Sequence, residues 1–97
     1  MIDTTLKQAI DEKKLIEVDY EGRRIVEPYI IYLSNTGKYL IDCFQLEGSS
    51  KSGKSYGWKI FDINKLKILS ILEDNFEIRR EYNPLNRERY SKIIYKM

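Results

Sequence analysis

Gly37-Lys38-Tyr39-Leu40-Ile41-Asp42-Cys43-Phe44-Gln45-Leu46, a polar loop, and Gly57-Trp58-Lys59-Ile60-Phe61-Asp62-Ile63-Asn64-Lys65-Leu66 read as the two arms of one antiparallel ribbon. The ribbon holds the only tryptophan and the only cysteine of the chain. Apolar side chains fall on both faces of its first arm, which a surface hairpin does not need, so the arm belongs inside a barrel or sandwich. Along the second arm, Lys59, Phe61 and Ile63 share one face by period two, and Trp58, Ile60 and Asp62 share the other. Phe61 and Leu40 are expected in the core, and Cys43 reads as an inert buried thiol.

Before the ribbon, Ile2, Leu6, Ala9 and Ile10 recur at helical spacing, with Asp3 or Thr4 able to cap, and the pattern changes after Lys13-Lys14. Ile16, Val18 and Tyr20 then share a strand face, and Glu21-Gly22 suits a tight turn. The strand over residues 24–33 contains Pro28, which cannot donate to a ladder. That position is expected at an edge, a bulge, or a bend where one strand changes partners. After the ribbon come a single helical turn at residues 64–67 and a strand at 68–72. The expectation is a mainly β protein with flanking helices: an N-terminal helix, a small SH3/Sm-like antiparallel β-barrel of about five strands, and a short C-terminal helix. That last helix is read from Asn83-Pro84 as a start and from Tyr90, Ile93 and Ile94 at helical spacing. Residues 1–75 form the domain and 76–97 a basic extension.

With 97 residues there is room for one domain and none for two catalytic lobes. The net charge of +2 is small, but its distribution is uneven. Residues 1–36 carry five basic and seven acidic groups, whereas 37–67 and 76–97 each carry six basic and three acidic. The chain has no histidine, the usual general base and commonest metal ligand, and one cysteine closes no internal disulfide. No nucleophile has a recognisable base beside it, so a non-enzymatic protein without metal or cofactor is expected. No stretch approaches the ~20 apolar residues needed to cross a bilayer, and the N-terminus lacks a signal-type apolar run, which points to the cytoplasm.

Gly48-Ser49-Ser50-Lys51-Ser52-Gly53-Lys54-Ser55 fits the letters of a phosphate-cradling P-loop. A P-loop requires a helix at its lysine, and here β-patterned residues follow, so the segment reads as a mobile hairpin loop. In the tail, Arg79, Arg80, Arg87 and Arg89, interleaved with Tyr82, Tyr90 and Tyr95, have the makings of a track for a phosphate backbone with rings stacking on bases.

Leu6, Ala9-Ile10, Val18-Asp19-Tyr20, Val26-Glu27-Pro28, Gly37-Lys38-Tyr39-Leu40 with Cys43, and Trp58-Lys59-Ile60-Phe61-Asp62-Ile63, in this order and spacing, resemble the WYL domain family. The resemblance runs from about Leu6 to Leu72 and is nearest to stand-alone WYL-like proteins. It implies an Sm/SH3-like barrel of the kind found in bacterial and phage transcriptional regulators, sensing a nucleotide-like ligand or single-stranded nucleic acid. The naming tripeptide reads Lys38-Tyr39-Leu40, and the family's Arg-x-Phe-Arg segment has Lys59 at its first arginine and Asp62 at its second. By this resemblance Tyr39, Lys59 and Asp62 are the ligand-site candidates, with Tyr39 and Lys59 bordering one pocket. Regulators of the family usually carry a helix-turn-helix before this domain. One helix cannot form it, so a role in regulation or defence implies a regulator protein as partner, or direct contact with nucleic acid. The alternative is an Sm-like assembly module that self-associates or binds a protein.

Overall fold

The computed structural model describes residues 4–48, 56–82 and 92–96. Helix α1 (Thr4–Glu12) buries Leu6, Ala9 and Ile10, the face set by their spacing. It stops at Lys13, whose φ of 52° takes the chain out of the right-handed helix. The Asn75 side chain donates to the carbonyl of Glu12 and so satisfies one orphan acceptor at the helix end. Strands β1 (Lys14–Asp19), β2 (Arg23–Leu33), β3 (Tyr39–Gly48) and β4 (Gly57–Asp62) form an antiparallel meander. A 3₁₀ turn (Ile63–Lys65) follows, then β5 (Lys67–Asn75), which returns to pair with β1, and finally β6 (Lys92–Lys96).

The sheet order is β4-β3-β2-β1-β5, with β6 also on β2. β4 and β5 are consecutive in the chain yet lie at opposite ends of this order. In a flat sheet four strand spacings would separate them by about 19 Å. That is more than the short connector with its 3₁₀ turn spans, so the sheet is rolled. Its inner face carries Ile16, Val18, Val26, Ile31, Ile41, Cys43 and Phe61, packed with Leu6, Ala9 and Ile10 of α1. Phe61 and Cys43 are buried as expected, and β3 is buried on both faces over residues 41–45.

The expected barrel does not close, because β4 and β5 form no ladder. A side chain spans the seam instead: the Tyr20 ring packs 4.5 Å from Phe61, and the Tyr20 hydroxyl oxygen accepts the backbone N–H of Asp62. The expected C-terminal helix is also overturned where the chain is described; its Asn83-Pro84 start and Tyr90 lie outside the described residues. Ile93 and Ile94 lie in β6, and α1 is the one α-helix among the described residues. β6 takes the length of β2 that β1 leaves open. On that edge β1 pairs with β2 as far as Val26 and β6 from Ile30 onward, so Pro28 falls between two partners, as the sequence led one to expect. Opposite β3, Pro28 pairs with Cys43 and Ile30 with Asp42, which leaves Tyr29 as a bulge. The bulge reverses the alternation: Val26 points inward and Tyr29 outward, then Ile31 inward and Tyr32 outward.

Candidate functional site

Two polar clusters lie on opposite faces of the rolled sheet. The inner one is built on the β1–β2 hairpin, closed by Glu21 and Gly22 with φ of 54° and 120°. Arg23 and Arg24 follow it and point to opposite sides, as neighbours in a strand must. Arg23 is exposed and pairs with Glu17. Arg24 is only 5% exposed. Its Nε donates to the Tyr20 carbonyl at 2.8 Å and Nη1 to Gln45 Oε1 at 3.1 Å, and its guanidinium lies 5.2 Å from the Phe61 ring centre and 5.5 Å from that of Tyr20. No carboxylate meets Arg24 among the described residues. Among the described residues this buried cation is met by neutral acceptors and ring faces, which do not compensate its charge as an acid would.

Lys59 lies on this inner face, opposite Cys43 and two residues before Phe61 on the same side of β4. The register separates it from Tyr39. Phe61 opposite Ile41 fills the interval, and four residues of strand put Tyr39 about 13 Å along from Cys43. Tyr39 is 42% exposed at the start of β3. Asp62 serves the backbone beside it, where its Oδ1 accepts the N–H of Asn64 and caps the 3₁₀ turn.

The first glycine of the P-loop-like segment also has a local explanation. Gly48 closes β3 opposite Arg24 with φ 117°, and a Cβ there would stand 2.3 Å from the Arg23 carbonyl oxygen. Residues 49–55, on which the loop expectation falls, lie outside the described residues.

The outer cluster is aromatic and acidic. Tyr29, Ile30, Tyr32 and Phe44 are buried, with Leu40, Trp58, Phe76 and Tyr82 packed against them. The expected core residue Leu40 is thus half-buried on the outer side. Glu27 is 4% exposed and receives the guanidinium of Arg79 through two bonds, Nε to Oε1 at 2.9 Å and Nη2 to Oε2 at 3.1 Å. The Tyr29 hydroxyl donates to Glu27 Oε1 at 2.9 Å and accepts the Arg79 backbone N–H at 3.0 Å. The guanidinium rests 3.5 Å from the Phe44 ring centre, with Tyr56 farther out at 5.9 Å. Hydrogen bonding to Glu27 raises the Arg79 pKa, and burial raises that of Tyr29. Arg79 is therefore tied up by an acid, Arg80 is exposed, and Arg87 and Arg89 lie outside the described residues.

Tyr32 donates to the buried Asp42 at 2.9 Å. Burial, then Asp42, pushes the Cys43 thiol up, which keeps it a neutral packing group. Among the described residues no three acidic or thiol side chains converge as a metal site requires, and no helix is long and apolar enough to cross a membrane. Sequence reading missed Arg24 and Glu27. The signal was the phase that Arg24 shares with buried Val26, set against exposed Arg23. No protein-family model matches the chain, and no curated protein or solved structure is significantly similar to it.

Proposed function

We propose that the chain is a non-enzymatic, WYL-like sensing module that binds a nucleotide-like ligand or single-stranded nucleic acid in bacterial or phage regulation or defence. The observation that supports this reading is Arg24, a buried guanidinium with donors to spare and no acid beside it among the described residues. A phosphate reaching it gains a charge-assisted hydrogen bond and relieves a buried charge, and Lys59 on the same face adds a second cation. Half-buried Tyr20 offers a ring face beside the guanidinium.

The test is an anisotropy titration of a labelled short oligonucleotide, competed by a nucleoside triphosphate, at low and moderate salt. Wild type is expected to bind at low salt and more weakly with added salt, and Arg24→Met and Lys59→Ala each to lose about tenfold or more. Absence of binding at low salt, or unchanged binding by Arg24→Met, overturns the reading. The alternative of an Sm-like assembly module would then stand, supported by the edge strands β4 and β5 with their exposed Ile60 and Leu69.

A further inference from the structure

The segment over residues 76–82 crosses the outer face as a strap with no ladder to the sheet. Its described backbone bonds are few: Phe76 N–H to the Lys13 carbonyl, a local turn from Tyr82 to Arg79, and two with the Tyr29 hydroxyl, which accepts the Arg79 N–H and donates to the Glu77 carbonyl at 3.5 Å. It is held by three side chains at a spacing of three, Phe76, Arg79 and Tyr82, while Glu77, Ile78, Arg80 and Glu81 face solvent. That is how a short peptide sits on a receptor.

The receptor belongs entirely to the sheet. Glu27 and Tyr29 come from β2, Phe44 from β3 and Trp58 from β4, with Tyr56 just before it. With the strap in place Glu27 is 4% exposed and both its oxygens are met by the Arg79 guanidinium, so an occupant that covers this seat must compensate its charge. Whatever replaces Arg79 must bring a planar cation that meets both carboxylate oxygens and stacks on Phe44. Lysine, a point charge with no fork, does neither.

The strap is also an imperfect occupant. The indole N–H of Trp58 is buried in this cluster, 4.9 Å ring to ring from Tyr29, and has no hydrogen-bond acceptor among the described residues. Indole nitrogen only donates, so a better-fitting segment places a carbonyl or amide oxygen there.

We propose that this outer face is an arginine-recognition site, occupied in cis by Arg79, that accepts an arginine-bearing, aromatic-flanked peptide segment of a partner protein in its place. The proposal is independent of the anion reading of Arg24, which concerns the opposite face. The cis strap acts as a competitor at high effective concentration, so a partner must outcompete it or find it displaced.

The test uses the full-length chain and a synthetic peptide of residues 75–82, Asn-Phe-Glu-Ile-Arg-Arg-Glu-Tyr, with emission of Trp58, the chain's single tryptophan, as the signal. Arg79→Ala is expected to stay folded by circular dichroism and to bind the peptide saturably, with wild type about tenfold weaker because its own strap competes. A peptide with lysine at the first arginine is expected to bind at least about tenfold more weakly than the parent. Glu27→Gln in the Arg79→Ala background is expected to remove the response. Equal binding of the two peptides, no response from folded Arg79→Ala, or a response that survives loss of Glu27 overturns the proposal. Should Arg79→Ala not fold, Arg79→Lys is titrated instead. If that variant also fails to fold, the strap is part of the fold and no receptor exists.

Discussion

Arg24 and Glu27 lie three residues apart on one strand and face opposite sides, and each is a charged group withdrawn almost wholly from water. Glu27 is complete: a guanidinium grips both its oxygens and a phenol supports it. Arg24 is incomplete among the described residues, with a backbone carbonyl, an amide oxygen and two rings in place of an acid. Burial of a charge is unfavourable in either case, so the contrast lies in what each leaves undone. One face has been closed by the chain's own strap, and on the other no acid among the described residues meets the cation. A sensing module needs the second condition and a competent fold supplies the first.

The blunt way to break the contrast is to remove the ring beneath Arg24. Phe61 is 1% exposed between Tyr20 and the inner core, so Phe61→Ala is expected to lose about 3 to 4 kcal/mol in a urea or thermal melt. Leu40→Ala on the half-buried outer side is expected to lose about 1 to 2 kcal/mol. Equal losses would mean that the two faces are equally packed and that the outer one is no separate surface.

A sharper version exchanges each arginine for methionine. Arg79→Met strands the Glu27 carboxylate, and with the Arg79 side chain 27% exposed the loss is expected at about 2 kcal/mol, below that for a fully buried pair. Arg24→Met strands no opposite charge among the described residues and keeps the apolar stem, so its loss is expected at about 1 kcal/mol or less. Urea unfolding of both variants decides it. If Arg24→Met proves the costlier, an acid must complete Arg24 after all, and the anion-site reading goes with it.

Much of this fold was legible from side-chain pattern alone. The α1 stripe, the two-sided burial of β3, the core position of Phe61 and the change of partner at Pro28 follow from period, burial and a missing donor. What stayed hidden depends on events that period two cannot register. The Tyr29 bulge reverses the faces of β2 in mid-strand, so residues after it cannot be placed by counting from those before it. The strap has no period and is held by a carboxylate about fifty positions earlier in the chain. Ile93 and Ile94 suit a helix or a strand equally well, and the choice was made by the open length of β2. Barrel closure failed in the letters for a related reason, since Tyr20 bridges the seam with one ring and one hydroxyl where a ladder was expected.

The smallest effect tests whether the strap is a provisional cover. The Tyr82 hydroxyl is buried against the outer cluster with no hydrogen-bond partner among the described residues. Burial, with the Asp42 carboxylate adding to it, pushes the Tyr82 phenol from its ordinary 10 up to about 12. The folded state therefore favours the neutral phenol. Its contribution is fully present below about pH 10, where the unfolded chain also keeps the proton, and is lost as pH rises through about 12. Tyr82→Phe removes both the ionisable group and the unsatisfied oxygen. At pH 7 it is expected to change stability by no more than about 0.5 kcal/mol, in either direction. Between about pH 10 and 12 its stability is expected to fall less steeply than that of wild type, with Tyr29, also raised by burial, left to supply the remaining slope. Urea unfolding at neutral and alkaline pH measures both. A loss well above 1 kcal/mol at pH 7 would show that the hydroxyl has a partner and that the strap fits its seat well, and matching alkaline slopes would clear Tyr82 of any part in the titration.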